Sequence, residues 1–231
     1  MNTSSLREFR HAAGLTQVQL ARRVGSSQGY VSLLERGQRH PSASLVRRLA
    51  RVLKLPPTAL PLEMEGRGLD HVGNDRVATS LATLGYPGFT YLGGAQSPVN
   101  PAKVLLQTLA AERVDPRLVE AAPWLLLCFS DFDCDQTVML ARSYNIQNRL
   151  GFVVALAKSV AESTPAYAGR LPELNAFSSA LEPFRLARED DLGEQLRTER
   201  LREWVRANRS EAAKHWNLLT DLAPQHLTYA N

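Results

Sequence analysis

The sequence has no hydrophobic run long enough to cross a membrane. Its most apolar stretch, residues 121–129, falls well short of the roughly 18–20 apolar residues that a spanning helix needs. The first residues, MNTSSLREFR, carry neither an apolar segment nor a small-residue cleavage site, so no secretory signal is predicted. With 44% hydrophobic and 22% charged residues among 231, the composition is typical of a soluble globular protein with one large or two small domains. We therefore expect a cytoplasmic protein.

Cysteine and histidine are also scarce. The chain has two cysteines, Cys128 and Cys134, and five histidines, and neither residue type occurs at the spacing of a zinc site. In a reducing cytoplasm both cysteines are expected to be free thiols. The sequence contains no HExxH and no phosphate-binding glycine loop. It therefore predicts no metal centre, no cofactor and no enzymatic activity.

The acidic run Asp131, Asp133 and Asp135 comes nearest to a cation site. It begins like a calcium-binding loop, but Gln136 stands where the loop needs glycine and Arg142 where it needs a bidentate glutamate. Paired carboxylates also hold Mg²⁺ in nucleotidyl transfer, yet no phosphate-binding loop precedes this run. We favour a turn and a helix cap over the metal site of an enzyme.

Positive charge is concentrated at the N-terminus. Residues 1–61 contain ten Lys and Arg against two acidic residues, which gives +8. The remaining 17 basic and 21 acidic residues give −4, and the two parts add to the net charge of +4. A basic segment attracts polyanions and supplies the sequence-independent part of DNA affinity.

The same segment contains two short helical patterns separated by a turn. In the stretch Thr16–Gly37, TQVQLARRVGSSQGYVSLLERG, apolar residues recur at helical spacing on both sides of Gly25. Gly25 can take the left-handed conformation that closes a first helix. Ser26 or Ser27 can cap the start of a second helix. The pattern predicts a helix-turn-helix.

The order of residues here resembles the Cro/C1-type (Xre) helix-turn-helix domain of phage repressors and bacterial regulators. The resemblance rests on LTQ at 15–17, LA at 20–21, VG at 24–25, SQ at 27–28, VS at 31–32 and LERG at 34–37, and it covers about Leu6 to Leu62. It implies a five-helix, lambda-repressor-like DNA-binding domain over residues 1–62. In such domains the second helix of the pair lies in the major groove of double-stranded DNA.

The resemblance also implies which side chains contact DNA. The base-contacting residues would be Ser27, Gln28, Gly29, Ser32 and Leu33. The phosphate-binding residues would be Arg10, Gln17, Arg36, Arg39 and His40. Gln28 suits adenine, whose N6 and N7 an amide can contact together, whereas Leu33 either meets a thymine methyl or packs inward. For Arg10 the family implies an ion pair with Glu35, and we expect that pair with the guanidinium also near phosphate.

The rest of the chain has the pattern of an all-α protein. Three glycines and weak periodicity mark residues 63–75 as a linker, followed by a helical domain over residues 76–231. Helices are predicted over 77–84, 101–112, 116–129, 133–144, 146–162, 171–187, 192–207 and 210–222. The best strand candidate, Phe89–Leu92, has no partner of similar quality.

A polar cluster of Gln147, Asn148 and Arg149 enters one of these helices. Buried amides must be hydrogen-bonded, so the cluster is predicted to cap helices or tie them together. A ligand-binding role is the alternative.

The helical second domain favours dimerisation or protein binding. The segments NPAKVLLQTL, DPRLVEAAPWLLLCF and IQNRLGFVVALA resemble the helical half of Xre-type antitoxins. We therefore expect a sequence-specific repressor that binds an inverted-repeat operator as a homodimer, and that serves as antitoxin and autorepressor beside a cognate toxin. The alternative is a regulator whose helical domain senses a small molecule. Residues Leu196, Leu201, Trp204 and Val205 suggest either a partner-binding helix or a helix that packs on its own core.

Overall fold

The computed structural model describes residues 3–62, 69, 72–92, 98–193, 198–227 and 229. The chain forms two compact units, Met1–Glu63 with Ala95–Asn100 and Met64–Gly94 with Pro101–Asn231. Most of the predicted linker, residues 63–68 and 70–71, lies outside the described residues. Its last residues begin the first helix of the second unit. The described helices contain none that is long and apolar enough to span a membrane.

The described residues of the first unit form four α-helices and a short 3-10 turn. The helices are α1 (Thr3–Ala12), α2 (Gln17–Val24), α3 (Gln28–Glu35) and α4 (Ala43–Leu53). The predicted fifth helix is only a 3-10 turn, Pro57–Ala59. The turn ends at Leu60, because this residue precedes Pro61 and is held in the extended conformation that a following proline favours.

Local capping fixes the turn between α2 and α3. Thr16 and Gln19 form a reciprocal capping box at the start of α2. Gly25 ends α2 with a left-handed φ of 63°. The Ser27 hydroxyl accepts a hydrogen bond from the Tyr30 N–H at 3.1 Å and so caps α3. The predicted helix-turn-helix is therefore formed.

The core of the first unit leaves the outer face of α3 open. Leu20, Val24, Val31 and Leu49 are fully buried and come from three different helices. On α3, Val31 and Leu34 point into this core. Because a helix repeats every 3.6 residues, Gln28, Gly29 and Ser32 lie away from this buried side, on the outer face of α3.

The second unit is predominantly helical, which confirms the all-α class. Its helices are α5 (Asn74–Leu84), α6 (Pro101–Ala110), α7 (Pro116–Cys128), α8 (Cys134–Ser143), α9 (Gln147–Ser163), α10 (Leu171–Leu181), α11 (Glu199–Asn208) and α12 (Glu211–His215). Short 3-10 segments cover Pro87–Leu92, Pro165–Arg170, Glu182–Phe184 and Pro224–His226.

The central helix of this unit is α9. It packs against α7 and α10, and most of its side chains are buried. Trp216 lies so close to Gly151 of α9 that a Cβ there would be 2.5 Å from the indole ring. This glycine allows the close approach of ring and helix.

Three predictions for the second unit were wrong. The strand expected at Phe89–Leu92 is part of a 3-10 segment, where the buried Phe89 ring packs against Tyr86 at 5.6 Å between centroids. The helix expected over 192–207 begins at Glu199, with residues 194–197 outside the described part of the chain. The helix expected over 210–222 ends at His215, because Leu218–Leu219 (β2) pairs in parallel with Asp190–Asp191 (β1).

Candidate nucleic-acid interface

The five predicted base-contacting residues come together at the exposed side of α3. Ser27, Gln28 and Gly29 are exposed, and Ser32 and Leu33 are half-buried. None of them belongs to the buried face formed by Val31 and Leu34. The partial burial of Leu33 agrees with both of its predicted roles, contact with a thymine methyl and packing. Their contact with bases remains a prediction.

Arg10 and Glu35 form an ion pair beneath this surface. The Arg10 Nε donates to Glu35 Oε1 at 2.6 Å, and the side chains are only 7% and 4% exposed. Arg10 Nη1 also donates to the Leu15 carbonyl at 2.8 Å. The predicted pair is confirmed. Since these donors are used inside the protein, the structure gives Arg10 a positioning role, and its phosphate contact stays a prediction.

The pair continues into a chain of hydrogen bonds that ends at Gln28. Gln17 Nε2 donates to Glu35 Oε2 at 2.8 Å. Gln28 Nε2 in turn donates to Gln17 Oε1 at 2.7 Å. We call Arg10, Glu35, Gln17 and Gln28 the relay. It links the start of α2 to both ends of α3.

The relay leaves Gln28 able to contact adenine. A glutamine amide has two N–H donors and one carbonyl acceptor. One Gln28 donor is held by Gln17, so the other can meet adenine N7 while the carbonyl accepts from N6. In the same way Gln17 keeps one N–H donor after its bond to Glu35, and that donor can bind a phosphate.

Glu35 is held in its charged form. Burial alone would raise the pKa of the Glu35 carboxyl, but hydrogen bonds from Arg10 and Gln17, together with the charge of Arg10, lower that pKa below its ordinary value. A charged Glu35 accepts stronger hydrogen bonds than a neutral carboxyl. The relay is therefore intact at neutral pH.

The other predicted phosphate-binding residues follow α3 directly. Arg36 caps the C-terminus of α3, and Arg36, Arg39 and His40 are all exposed. The Tyr30 hydroxyl donates to the His40 carbonyl at 3.2 Å and so ties this loop to α3. Tyr30 was not assigned from the sequence, because its partner lies ten residues away in a loop.

A surface cleft of about 510 Å³ runs beside the relay. It is lined by Arg10, His11, Gly14, Leu15, Thr16, Gln17, Val18 and Gln28. Val18 is 47% exposed there, although it belongs to the helically spaced apolar residues of α2. Helical spacing alone therefore did not show that Val18 lies at this cleft.

Asp133 of the acidic run and two residues of the polar cluster, Asn148 and Arg149, have structural roles in the second unit. Asp133 caps α8 by accepting from the Gln136 N–H at 3.0 Å, as predicted. Asn148 binds both the N–H and the carbonyl of Leu186, at 2.8 and 2.9 Å. Arg149 pairs with Asp190 at 2.8 Å, so these two residues tie the unit together as predicted.

Two further observations concern possible ligand and metal sites in the second unit. Gln147 Oε1 is buried and has no hydrogen-bond partner among the described residues. The described residues also contain no group of three His, Cys, Asp or Glu side chains that could hold a metal ion. Both cysteines are free, as predicted.

Comparison with known proteins agrees with this geometry. The family described as a helix-turn-helix domain matches residues 4–62. An uncharacterized helix-turn-helix-type transcriptional regulator of Methanothermobacter thermautotrophicus is 46% identical over 48 residues, which cover 21% of this chain and 70% of that protein. No solved structure matches the chain. The chain therefore belongs to the Xre-type helix-turn-helix family of DNA-binding transcriptional regulators.

Proposed function

We propose that this protein is a sequence-specific repressor that contacts its operator through the exposed side of α3. The relay carries the proposal, since it orients Gln28 while leaving the donor and acceptor that adenine needs. Exposed cations directly after α3 supply phosphate contacts on the same side of the unit.

The operator is proposed to be an inverted repeat bound by a homodimer. One helix-turn-helix contacts only a few base pairs, and two copies about 34 Å apart reach successive major grooves on one side of DNA. Repression then follows from occupation of a promoter, which excludes other proteins from the same DNA.

Selection of DNA from a random duplex pool by the full-length protein tests this function. We expect an enriched inverted repeat. On that site Gln28→Ala should cost about 1–3 kcal/mol and relax the preference at one base pair. Arg39→Ala is the matched comparison, because loss of a phosphate contact weakens binding to all sequences and reduces the salt slope by about one unit. Equal weakening of selected and scrambled DNA by Gln28→Ala would contradict a base contact.

For the second unit, we propose binding of a protein partner, with the chain acting as antitoxin and autorepressor. On α11, Val205 is buried, whereas Trp204 is 53% and Leu201 is 41% exposed. Of the two predicted roles of this helix, packing therefore accounts for Val205 only. Trp and Arg are enriched among the residues that contribute most of the binding free energy at protein interfaces. The exposed arginines beside Trp204 suit an acidic partner surface. Leu196 lies outside the described residues.

Growth of cells that express the neighbouring reading frame tests this role. Coexpression of this chain should relieve toxicity, and Gln28→Ala should still do so. Trp204→Ala should abolish relief, while Tyr91→Ala, which removes another exposed ring, should not. Absence of toxicity from the neighbouring frame would contradict the antitoxin role.

A second candidate function is a ligand-responsive regulator. It is favoured by a cavity of about 270 Å³ in the helical unit, close to the lower end of the roughly 300–1,000 Å³ that small-molecule sites occupy. A ligand in this cavity would then change operator affinity. Release of selected DNA by a small molecule that binds this cavity is the measurement that distinguishes it from the antitoxin role.

A further inference from the structure

The cavity of the helical unit lies between the end of α7, the loop before α8, and α10. Its apolar wall consists of Leu126, Leu174 and Phe177, whose side chains are almost completely buried in the unit. Phe132, half-buried, adds a second aromatic ring. A wall of two rings and two leucines suits a flat apolar group.

The polar side of the cavity is fixed before any ligand binds. Arg170 Nη2 donates to the carbonyls of Leu126 and Phe129, at 3.2 and 2.5 Å, and pairs with Glu173 at 2.8 Å. These bonds attach the end of α7 to the start of α10. Because the charge of Arg170 is balanced by Glu173, this pair adds no net charge to the cavity that both residues line.

Asp131 remains as the uncompensated charge at the cavity. Its carboxylate accepts from the Ser130 hydroxyl at 3.0 Å and has no ion-pair partner within the described part of the chain. Asp131 has a left-handed φ of 62°, which is uncommon outside glycine, and is exposed at the cavity mouth.

The neighbouring thiol of Cys134 adds no negative charge to the cavity that it lines. Burial, and secondly the carboxylates of Asp135 and Asp133, raise the pKa of this thiol to about 11, so it is neutral at pH 7. The net charge of the lining is therefore the negative charge of Asp131, and charge complementarity favours a cation.

We infer that this cavity binds a small organic amine, with its apolar body on Leu126, Leu174 and Phe177 and its ammonium group at Asp131. The inference names the class of ligand for the ligand-responsive function proposed above, and any effect of the amine on operator affinity rests on that function. Amine binding is measurable in the absence of DNA, so amine binding and the ligand-responsive function can be tested separately.

Calorimetric titration of the full-length protein with three probes of one shape tests the inference. The probes are 2-phenylethylamine, 2-phenylethanol and 3-phenylpropionate, which are cationic, neutral and anionic. We expect the amine to bind at least tenfold more tightly than the alcohol, and the anion not to bind. Equal binding of amine and alcohol, or no binding of any probe at millimolar concentration, would overturn the inference.

Three variants locate the binding. Asp131→Asn should reduce amine affinity to that of the alcohol, while the control Asp75→Asn, at the start of α5, should leave it unchanged. Ala176→Leu should block both probes, because Ala176 lines the cavity and is exposed, so a larger side chain is accommodated without disturbing the core. Amine binding that survives both Asp131→Asn and Ala176→Leu would overturn the site. Amine binding with unchanged operator affinity would overturn only the ligand-responsive function.

Discussion

The Arg10–Glu35 pair offers a way to separate folding from recognition. Both side chains are less than a tenth exposed, so removal of one leaves a buried charge without its partner. We expect Arg10→Met to cost about 3–5 kcal/mol. That is a large part of the roughly 5–15 kcal/mol by which a small domain is stable.

Removal of both charges gives a different result. In the double variant Arg10→Met with Glu35→Leu no buried charge remains, and such replacements are often neutral or stabilising. Stability should return, but Gln17 has then lost its acceptor on Glu35 and no longer holds Gln28. The hydrogen bond that orients Gln28 contributes a net free energy of about 0.5–1.5 kcal/mol. Its loss should therefore weaken the affinity for the selected operator roughly two- to tenfold.

Hydrogen exchange of amides in α2 and α3 measures the stability of the first unit in the full-length protein. Titration with the selected operator measures the affinity for DNA. A matched control is Arg117→Met, since the Arg117–Asp115 pair is exposed to solvent and such pairs contribute little to stability. Wild-type operator affinity in the stable double variant would refute the view that the relay positions Gln28.

Three further predictions concern the two units separately. Gly151→Ala should destabilise the protein by about 1–3 kcal/mol in denaturant unfolding, because its Cβ would meet the Trp216 ring, whereas Gly169→Ala, with open space around it, should be near neutral. Asp133→Ala should cost about 1 kcal/mol through loss of the α8 cap and leave operator affinity unchanged; a divalent cation that stabilises the wild type but not this variant would contradict the capping role. The pKa of Glu35 is lowered in the folded protein, so its stabilising contribution is present above its unfolded pKa of about 4.3 and is lost as the pH falls further. Unfolding free energy should therefore decrease more steeply below that pH in the wild type than in Glu35→Gln.

The sequence by itself determined the features that depend on near neighbours. The caps at Thr16 and Ser27 and the left-handed turn at Gly25 involve residues at most a few positions apart. Apolar spacing then predicted which sides of α2 and α3 are buried. The same local signals placed the cap at Asp133 in the second unit.

Patterns failed where a distant contact overrode local preference. The apolar residues Leu218 and Leu219 continue a helical pattern, but they pair with a strand nearly thirty residues earlier and end the helix. Phe89–Leu92 has the composition of a strand, yet no neighbouring strand among the described residues supplies the hydrogen bonds that would make it one.

Only the tertiary structure decided how the functional side chains meet. Each step of the relay joins residues 11 to 25 positions apart, and spacing cannot show that an amide bridges two helices. The cavity of the helical unit likewise combines residues from Leu126 to Phe177. Local preference determines where a helix forms, whereas burial of apolar side chains determines which helices pack together. Only this packing brings polar side chains that are distant in sequence within hydrogen-bonding distance.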